Sequence, residues 1–176
     1  MIGESPWRDV IRFGEVRGPV LRKLEADAKA RTAVARLLGL VSIESLTAEL
    51  TVKPWMDGVE IAGQFTADIT QTCSVTAEAF EEIAEGEFVV RALPPGSPNA
   101  PQEALDEVEL DPDGDDPPDV LEGEDIDLAG YVVEHLSLEL DPFPRAPGAE
   151  FIAPKEDADL SPFAALRQLK KDDAPE

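Results

Sequence analysis

The feature that most constrains the fold of this chain is a pair of neighbouring segments in which apolar residues occupy every second position. The first run covers residues 46–52 and the second covers residues 59–69. A period of two places successive side chains on opposite faces of a strand, so each run predicts a β-strand with one buried face. The connection between them contains proline, aspartate and glycine, which favour a turn. The two runs therefore predict an antiparallel hairpin, with residues 44–52 paired to residues 58–72.

Other periodic segments add helices and further strands to this hairpin. Gly39 stands where a first helix should end, and Asp127 is a favourable N-cap for a second. Ser161, followed by proline, is typical of the start of a third. A mostly antiparallel sheet with a few helices belongs to the α+β class, and we predict that class here. The predicted helices lie near residues 20–38, 127–139 and 161–171, and the further strands near residues 10–13, 86–93 and 119–121.

The charge of the chain is large and unevenly distributed. The net charge is −23, yet residues 1–36 hold eight Lys and Arg against five acids. Residues 96–127 hold 13 acids and no base. Acidic, apolar-poor segments cannot bury enough surface to offset the entropy of ordering. We therefore predict a single domain over residues 1–152 with a flexible acidic loop at 96–119, followed by a linker and an amphipathic helix over 153–176.

The composition also bears on location and cofactors. No apolar run approaches the ~20 residues that cross a bilayer, and the first residues lack the apolar core of a signal peptide, so we expect a cytoplasmic protein. The single cysteine, Cys73, can form no internal disulfide and cannot by itself complete a tetrahedral zinc site. We expect no metal and no cofactor.

Two segments about fifty residues apart carry a resemblance to a known family. Residues 68–80 contain the order Gln-x-Cys-x-Val-Thr, and residues 123–144 begin a helix with Asp-Leu and end in a leucine-rich stretch broken by prolines. Together they resemble the YceD-type large ribosomal RNA subunit accumulation proteins, in an alpha-proteobacterial-like branch that lacks paired cysteines. Pro6-Trp7 and residues 161–170 extend the resemblance. The family-motif residues are Gln71, Cys73, Val75, Thr76, Asp127 and Leu128, and a structural role is expected for them.

The resemblance implies a non-enzymatic role in ribosome biogenesis. Some family members have Cys-x-x-Cys pairs that suggest zinc, but Thr76 stands here where the second cysteine would fall. On the predicted helix at 20–38, basic side chains spaced by seven would form a stripe able to neutralise RNA phosphates. The acidic half is better matched to a basic ribosomal or assembly protein. The candidate RNA-binding residues are Arg22, Lys29, Arg31 and Arg36, and the candidate docking residues of the last helix are Phe163, Leu166 and Leu169.

One alternative to this interpretation remains open, and a calcium-binding loop and a catalytic site are set aside. An acidic adaptor unrelated to ribosomes, docking through the last helix, remains open. Residues 111–122 have the ligand spacing of an EF-hand loop, but Asp116 occupies the position that requires glycine. The hydroxyl nearest in sequence to the only histidine, His135, belongs to Ser137 and lies on a different helix face, and no nucleophile elbow or phosphate-binding loop occurs. We therefore expect no catalytic residues, and neither DNA nor a membrane as partner.

Overall fold

A computed structural model describes residues 5–101 and 117–151 of the chain. Seven strands and two α-helices are present in this part, together with one 3-10 turn. In chain order they are β1 (Val10–Arg12), the 3-10 turn (Phe13–Glu15), β2 (Val20–Glu25), α1 (Ala28–Leu38), β3 (Ser42–Trp55), β4 (Gly58–Thr72), β5 (Ala79–Leu93), β6 (Asp119–Val120), β7 (Asp125–Asp127) and α2 (Leu128–Glu139).

The strands form a five-stranded sheet in the order β2-β3-β4-β5-β6 and a small β1-β7 pair. All neighbours are antiparallel except β5 and β6, which are parallel. The predicted hairpin is confirmed and is longer than the pattern indicated, since Trp55 pairs with Gly58 across a two-residue turn. The strand predicted at 86–93 is the second half of β5. The α+β class is therefore confirmed.

The first helix begins later than predicted. Residues 20–25 are not helical but pair with β3, and the helix starts only after Asp27, whose Oδ1 accepts the N–H of Ala30 at 2.7 Å. Leu21 and Leu24 are three residues apart, a spacing that suits one face of a helix, whereas in the strand they lie on opposite faces, with Leu21 exposed and Leu24 buried. The local pattern therefore favoured the helix. Pairing with β3 along the whole of β2 stabilises the strand instead. The helix ends at Gly39 in the left-handed conformation (φ 71°), where its end was predicted.

The other predicted elements fall at or near their expected places. The helix capped by Asp127 is α2, and the short strands near 10–13 and 119–121 are β1 and β6. The helix predicted at 161–171 and most of the acidic loop lie outside the described residues.

One face of the five-stranded sheet carries the core. Val34 of α1 and Leu136 of α2 belong to the same buried cluster as Ile61 on β4. His135 of α2 stacks on Phe88 of β5, with ring centroids 4.1 Å apart. The side chains that alternate with these along the strands point away from both helices. We call that second surface the open sheet face.

Candidate functional site: a hydrogen-bonded loop and charged surfaces

The first family-like segment occupies the end of β4 and the turn into β5. Gln71 is buried, and its Nε2 donates to Glu82 Oε2 at 2.7 Å. The turn is closed by Ala77 N–H, which donates to the Cys73 carbonyl at 2.9 Å, and by Cys73 N–H, which donates to the Glu78 carbonyl at 2.8 Å. These bonds satisfy backbone groups that a strand end would otherwise leave open.

Cys73 joins this turn to the segment that follows α2. Its side chain is 1% exposed, and its Sγ accepts N–H groups from Val75 and from Ala146, each at 3.4 Å. Ser74 N–H donates to the Pro144 carbonyl at 2.8 Å, which adds a second link between the same segments. The sulfur therefore acts as a hydrogen-bond acceptor between two loops that are distant in sequence.

The electrostatic setting of Cys73 follows from these donors. The Thr76 hydroxyl first, and then the N–H of Ala146, lower the pKa of the thiol to about 7. Thiolate is the reactive form of cysteine, but a reagent must also reach it. Burial denies that access in the folded state. Thr76 itself is exposed, and its Oγ1 also accepts the Glu78 N–H at 3.4 Å.

A polar cleft of about 440 Å³ lies beside this loop, where α1, β4 and α2 all end. Gly39 lines it from the first helix, Gln71 and Ser74 from the family-like segment, and Ser137 and Asp141 from the second helix and the residues after it. Its hydroxyl, amide and carboxylate groups can exchange hydrogen bonds with a polar partner. The motif thus places side chains at a surface cleft as well as inside the fold.

The second family-like segment forms the joint of β1, β7 and α2. Asp127 Oδ1 accepts N–H groups from Gly130 and from Asp9, each at 3.2 Å, and Arg8 Nε lies 3.5 Å from Oδ2. Burial, as the largest cause, raises the pKa of the Asp127 carboxyl. Leu128 is fully buried, and its N–H donates to the Asp9 carbonyl at 2.8 Å. Both motif residues therefore hold elements together.

The four candidate RNA-binding residues do not form the predicted helical stripe. Arg22 lies on β2, with its Nε 3.9 Å from Asp9 Oδ1, because residues 20–25 are a strand. Arg31 is held by its own helix start, since Nη1 donates to the Ala26 carbonyl at 2.7 Å. Only Lys29 and Arg36 are exposed on α1 without an ion pair to any described residue. Of the four candidates, Lys29 and Arg36 are therefore the two whose charges are available to a binding partner.

Several other basic side chains in the described part of the chain already have acidic partners. Lys23 Nζ lies 2.6 Å from Glu49 Oε1, and Glu60 holds both Lys53, at 2.7 Å, and Arg91, at 3.3 Å. Lysine hydrogen bonds are the largest cause of the lowered pKa of both glutamates. Much of the positive charge that could meet phosphates is therefore compensated within the fold.

Two hydrogen bonds, one made by a buried tyrosine and one by a buried glutamine, were not predicted from the sequence. Tyr131 on α2 donates its hydroxyl to Asp119 Oδ2 at 3.0 Å, and burial, with this carboxylate, raises the pKa of the phenol. The Gln71–Glu82 bond is the other. Cross-strand register carries the signal for it, because Glu82 stands opposite Ile69, two residues before Gln71, and is therefore its diagonal neighbour on the same sheet face. Such pairs become visible only once the strand order is known.

The candidate docking residues of the predicted last helix, Phe163, Leu166 and Leu169, lie outside the described residues. His135 Nδ1 lies 2.9 Å from the Tyr131 carbonyl. Within residues 5–101 and 117–151, no group of three or more His, Cys, Asp or Glu is arranged to hold a metal ion, and no helix is long and apolar enough to cross a membrane.

The fold and site define an α+β domain in which one group of motif residues lies in a hydrogen-bonded loop beside a polar cleft and another lies at the joint of β1, β7 and α2. A family model described as "Large ribosomal RNA subunit accumulation protein YceD" matches residues 61–170. This match covers more than half of the chain, so the chain belongs to the YceD family. Both family-like segments lie within the match, whereas β2, α1 and β3 precede it. No curated protein and no solved structure matches the chain.

Proposed function

We propose that this protein is a non-enzymatic ribosome-biogenesis factor of the cytoplasm that supports the accumulation of large-subunit ribosomal RNA. The observation that carries the proposal is the family match over residues 61–170, which includes both motif segments. The geometry supports a binding role, because Cys73, Asp127 and His135 are engaged in structural contacts. None of these contacts leaves a nucleophile beside a free base, the arrangement that covalent catalysis requires.

Contact with a protein fits the charge of this chain better than extensive contact with RNA. A protein that binds RNA must neutralise phosphates with Lys or Arg, and the chain carries a net charge of −23. Of the four cations proposed for RNA binding, Lys29 and Arg36 on α1 are free to do so. They precede the matched residues, so the family match lends no support to RNA contact at that helix. We therefore propose a basic ribosomal or assembly protein as the principal partner.

A gene-deletion experiment tests the proposed function. We expect cells that lack this protein to show a lower ratio of large-subunit to small-subunit ribosomal RNA, and we expect the wild-type gene to restore it. Polysome profiles should show a matching deficit of large subunits. An unchanged ratio in cells that are verified to lack the protein would contradict the proposal.

The contribution of RNA contact is tested by charge reversal on α1. If α1 contacts RNA, the double substitution Lys29→Glu with Arg36→Glu should abolish retention of a ribosomal RNA fragment at low salt, because each reversal removes a phosphate partner and adds repulsion. The control is Arg17→Glu with Arg145→Glu, which changes the net charge equally at two exposed sites. Equal retention by wild type and the α1 variant would refute RNA binding at this helix.

A further inference from the structure

The open sheet face is an unpartnered surface with an apolar row across four strands. Leu21, Thr51, Ala62 and Val89 stand opposite one another on β2, β3, β4 and β5. Leu21 is 76% exposed and Val89 is 61% exposed. Side chains in register on neighbouring strands lie close enough to form one contact surface. The small residue at position 62 leaves a groove of about 620 Å³ along this row.

Carboxylates lie to one side of the apolar row, with Glu87 in the next cross-strand row of this face and Glu25 and Glu85 in the row after it. A second groove of about 820 Å³ adjoins the first and is lined by Glu25, Glu85 and Glu87. None of these three forms an ion pair with a described residue. The bases of this face are already held by Glu49 and Glu60. The face carries the acids Glu25, Glu49, Glu60, Asp68, Glu81, Glu85 and Glu87 against the bases Lys23, Lys53 and Arg91.

The charge of this surface selects among the occupants that could cover it. Residues 102–116 contain eight acids and no base, so this segment would repel the face. Residues 152–176 contain six acids against four bases, but three of the bases lie within residues 161–171, which contain no acid. That stretch of the chain can compete for the face, and its occupancy is one outcome of the test. A second copy of the chain would place two acidic faces together. RNA would bring phosphates against unpaired carboxylates. A Lys- and Arg-rich protein segment is the occupant whose charge matches.

We propose that the open sheet face is the docking surface for a basic segment of a partner protein, with aliphatic side chains on the Leu21–Val89 row and Lys or Arg side chains on Glu25, Glu85 and Glu87. This inference rests on the proposed function for its biological setting and adds the surface and the partner chemistry. An apolar centre bordered by charge is the usual anatomy of a protein interface.

Direct binding measurements test the surface. The probe is a labelled lysine-rich peptide interspersed with leucine, compared with a glutamate-rich peptide of the same pattern and with a ribosomal RNA fragment. We expect the wild type to bind the lysine-rich peptide, and the double substitution Glu85→Lys with Glu87→Lys to weaken binding roughly tenfold at low salt. Val89→Thr, which keeps the side-chain shape and the strand propensity, should weaken binding several-fold.

The matched control is Glu134→Lys with Glu150→Lys, which makes the same change of net charge at exposed positions of the helix and loop regions. Circular dichroism establishes that each variant is folded. The docking proposal is overturned if the wild type does not bind the lysine-rich peptide, or if the control loses as much affinity as the variant of the face. It is also overturned if the full chain binds the lysine-rich peptide only after Arg167→Glu with Lys170→Glu, because residues 161–171 of this chain would then be the occupant of the face. Loss of RNA binding or of self-association in Val89→Thr, in place of peptide binding, would overturn it as well.

Complementation separates this proposal from the proposed function. If the gene deletion lowers the ribosomal RNA ratio and the Glu85→Lys, Glu87→Lys variant restores it fully, the docking surface is wrong and the function stands. If the deletion has no effect while peptide binding behaves as expected, the function is wrong and the surface stands.

Discussion

At the scale of single residues, the motif side chains act mainly as hydrogen-bond acceptors and donors for distant backbone. The sequence predicts a structural role for Cys73 and no metal site. The structure buries it and gives it donors from its own turn and from Ala146. The partner could not be predicted, because it is 73 residues away in sequence and no local pattern encodes the contact.

Cys73 should make stability depend on pH. Its thiol pKa is lowered in the folded protein to about 7 from an ordinary value of 9.0. Between these values the unfolded chain binds more protons, so stability should rise with pH through this window and be lost as pH falls through about 7. We expect the free energy of unfolding of the wild type, measured with urea under reducing conditions, to increase relative to that of Cys73→Ser from pH 7 to pH 9. A constant difference would contradict the role of the Cys73 donors.

Asp127 should stabilise the fold through its N-cap hydrogen bonds more than through its negative charge. Removing the acceptor in Asp127→Ala should cost about 1–2 kcal/mol of the free energy of unfolding, because the N–H groups of Gly130 and Asp9 lose their partner. Asp127→Asn keeps an acceptor oxygen and should cost less. Because burial raises the folded-state pKa of Asp127, the folded protein binds the proton more tightly, and wild type should gain stability relative to Asp127→Asn as the pH falls. Equal losses in the two variants would refute the cap.

At the scale of elements, the long hairpin and α2 were predictable and β2 was not. Period-two alternation over more than three apolar positions favours a strand over a helix, so β3 and β4 follow from the residues themselves. Residues 20–25 do not alternate in this way, because Arg22 falls between Val20 and Leu24, and their strand depends on the edge that β3 offers for pairing. The exposed stripe expected from residues 20–38 therefore does not exist as one surface. Two of its cations remain free on α1.

Gly58 should be the least replaceable position of the hairpin. A Cβ there would collide with the backbone carbonyl of Ala92 on β5, and neither strand can move without breaking the ladder. Gly58→Ala should therefore lower the free energy of unfolding by about 1–3 kcal/mol, as overpacking does. Gly14→Ala is the control, since a Cβ at Gly14 meets nothing within 4 Å. Equal midpoints of urea unfolding for the two variants would contradict the predicted clash.

At the scale of the whole molecule, charge and sheet layout separate a hydrogen-bonded region that holds the elements together from an acidic open sheet face. The motif loop and the Asp127 joint hold the core, and the open sheet face presents unpaired carboxylates to solvent. A large net charge favours association with an oppositely charged partner, and it also destabilises the folded state through repulsion between like charges. The family assignment fits this division, because the match includes β4 and β5, two strands of the open face.

The acidic segment should contribute little to stability, as its composition predicts. Replacing residues 103–116 by a glycine-serine linker of equal length should change the thermal midpoint by less than roughly 2–4 °C, the shift expected for about 1 kcal/mol. The replacement keeps β6 and its pairing with β5. Thermal unfolding followed by circular dichroism measures the effect. A much larger fall would show that the segment belongs to the core.

The α+β class, the long hairpin, the capped second helix and the family resemblance could all be predicted from the sequence, because alternation, capping and motif order are properties of neighbouring residues. Features that depend on partners far away in the chain arise only when the elements pack. Pairing with β3 made residues 20–25 a strand, and folding brought Ala146 to Cys73. Placement of both helices on one side of the sheet left the acidic face open. Which face stays uncovered is a property of packing, and no single segment encodes it.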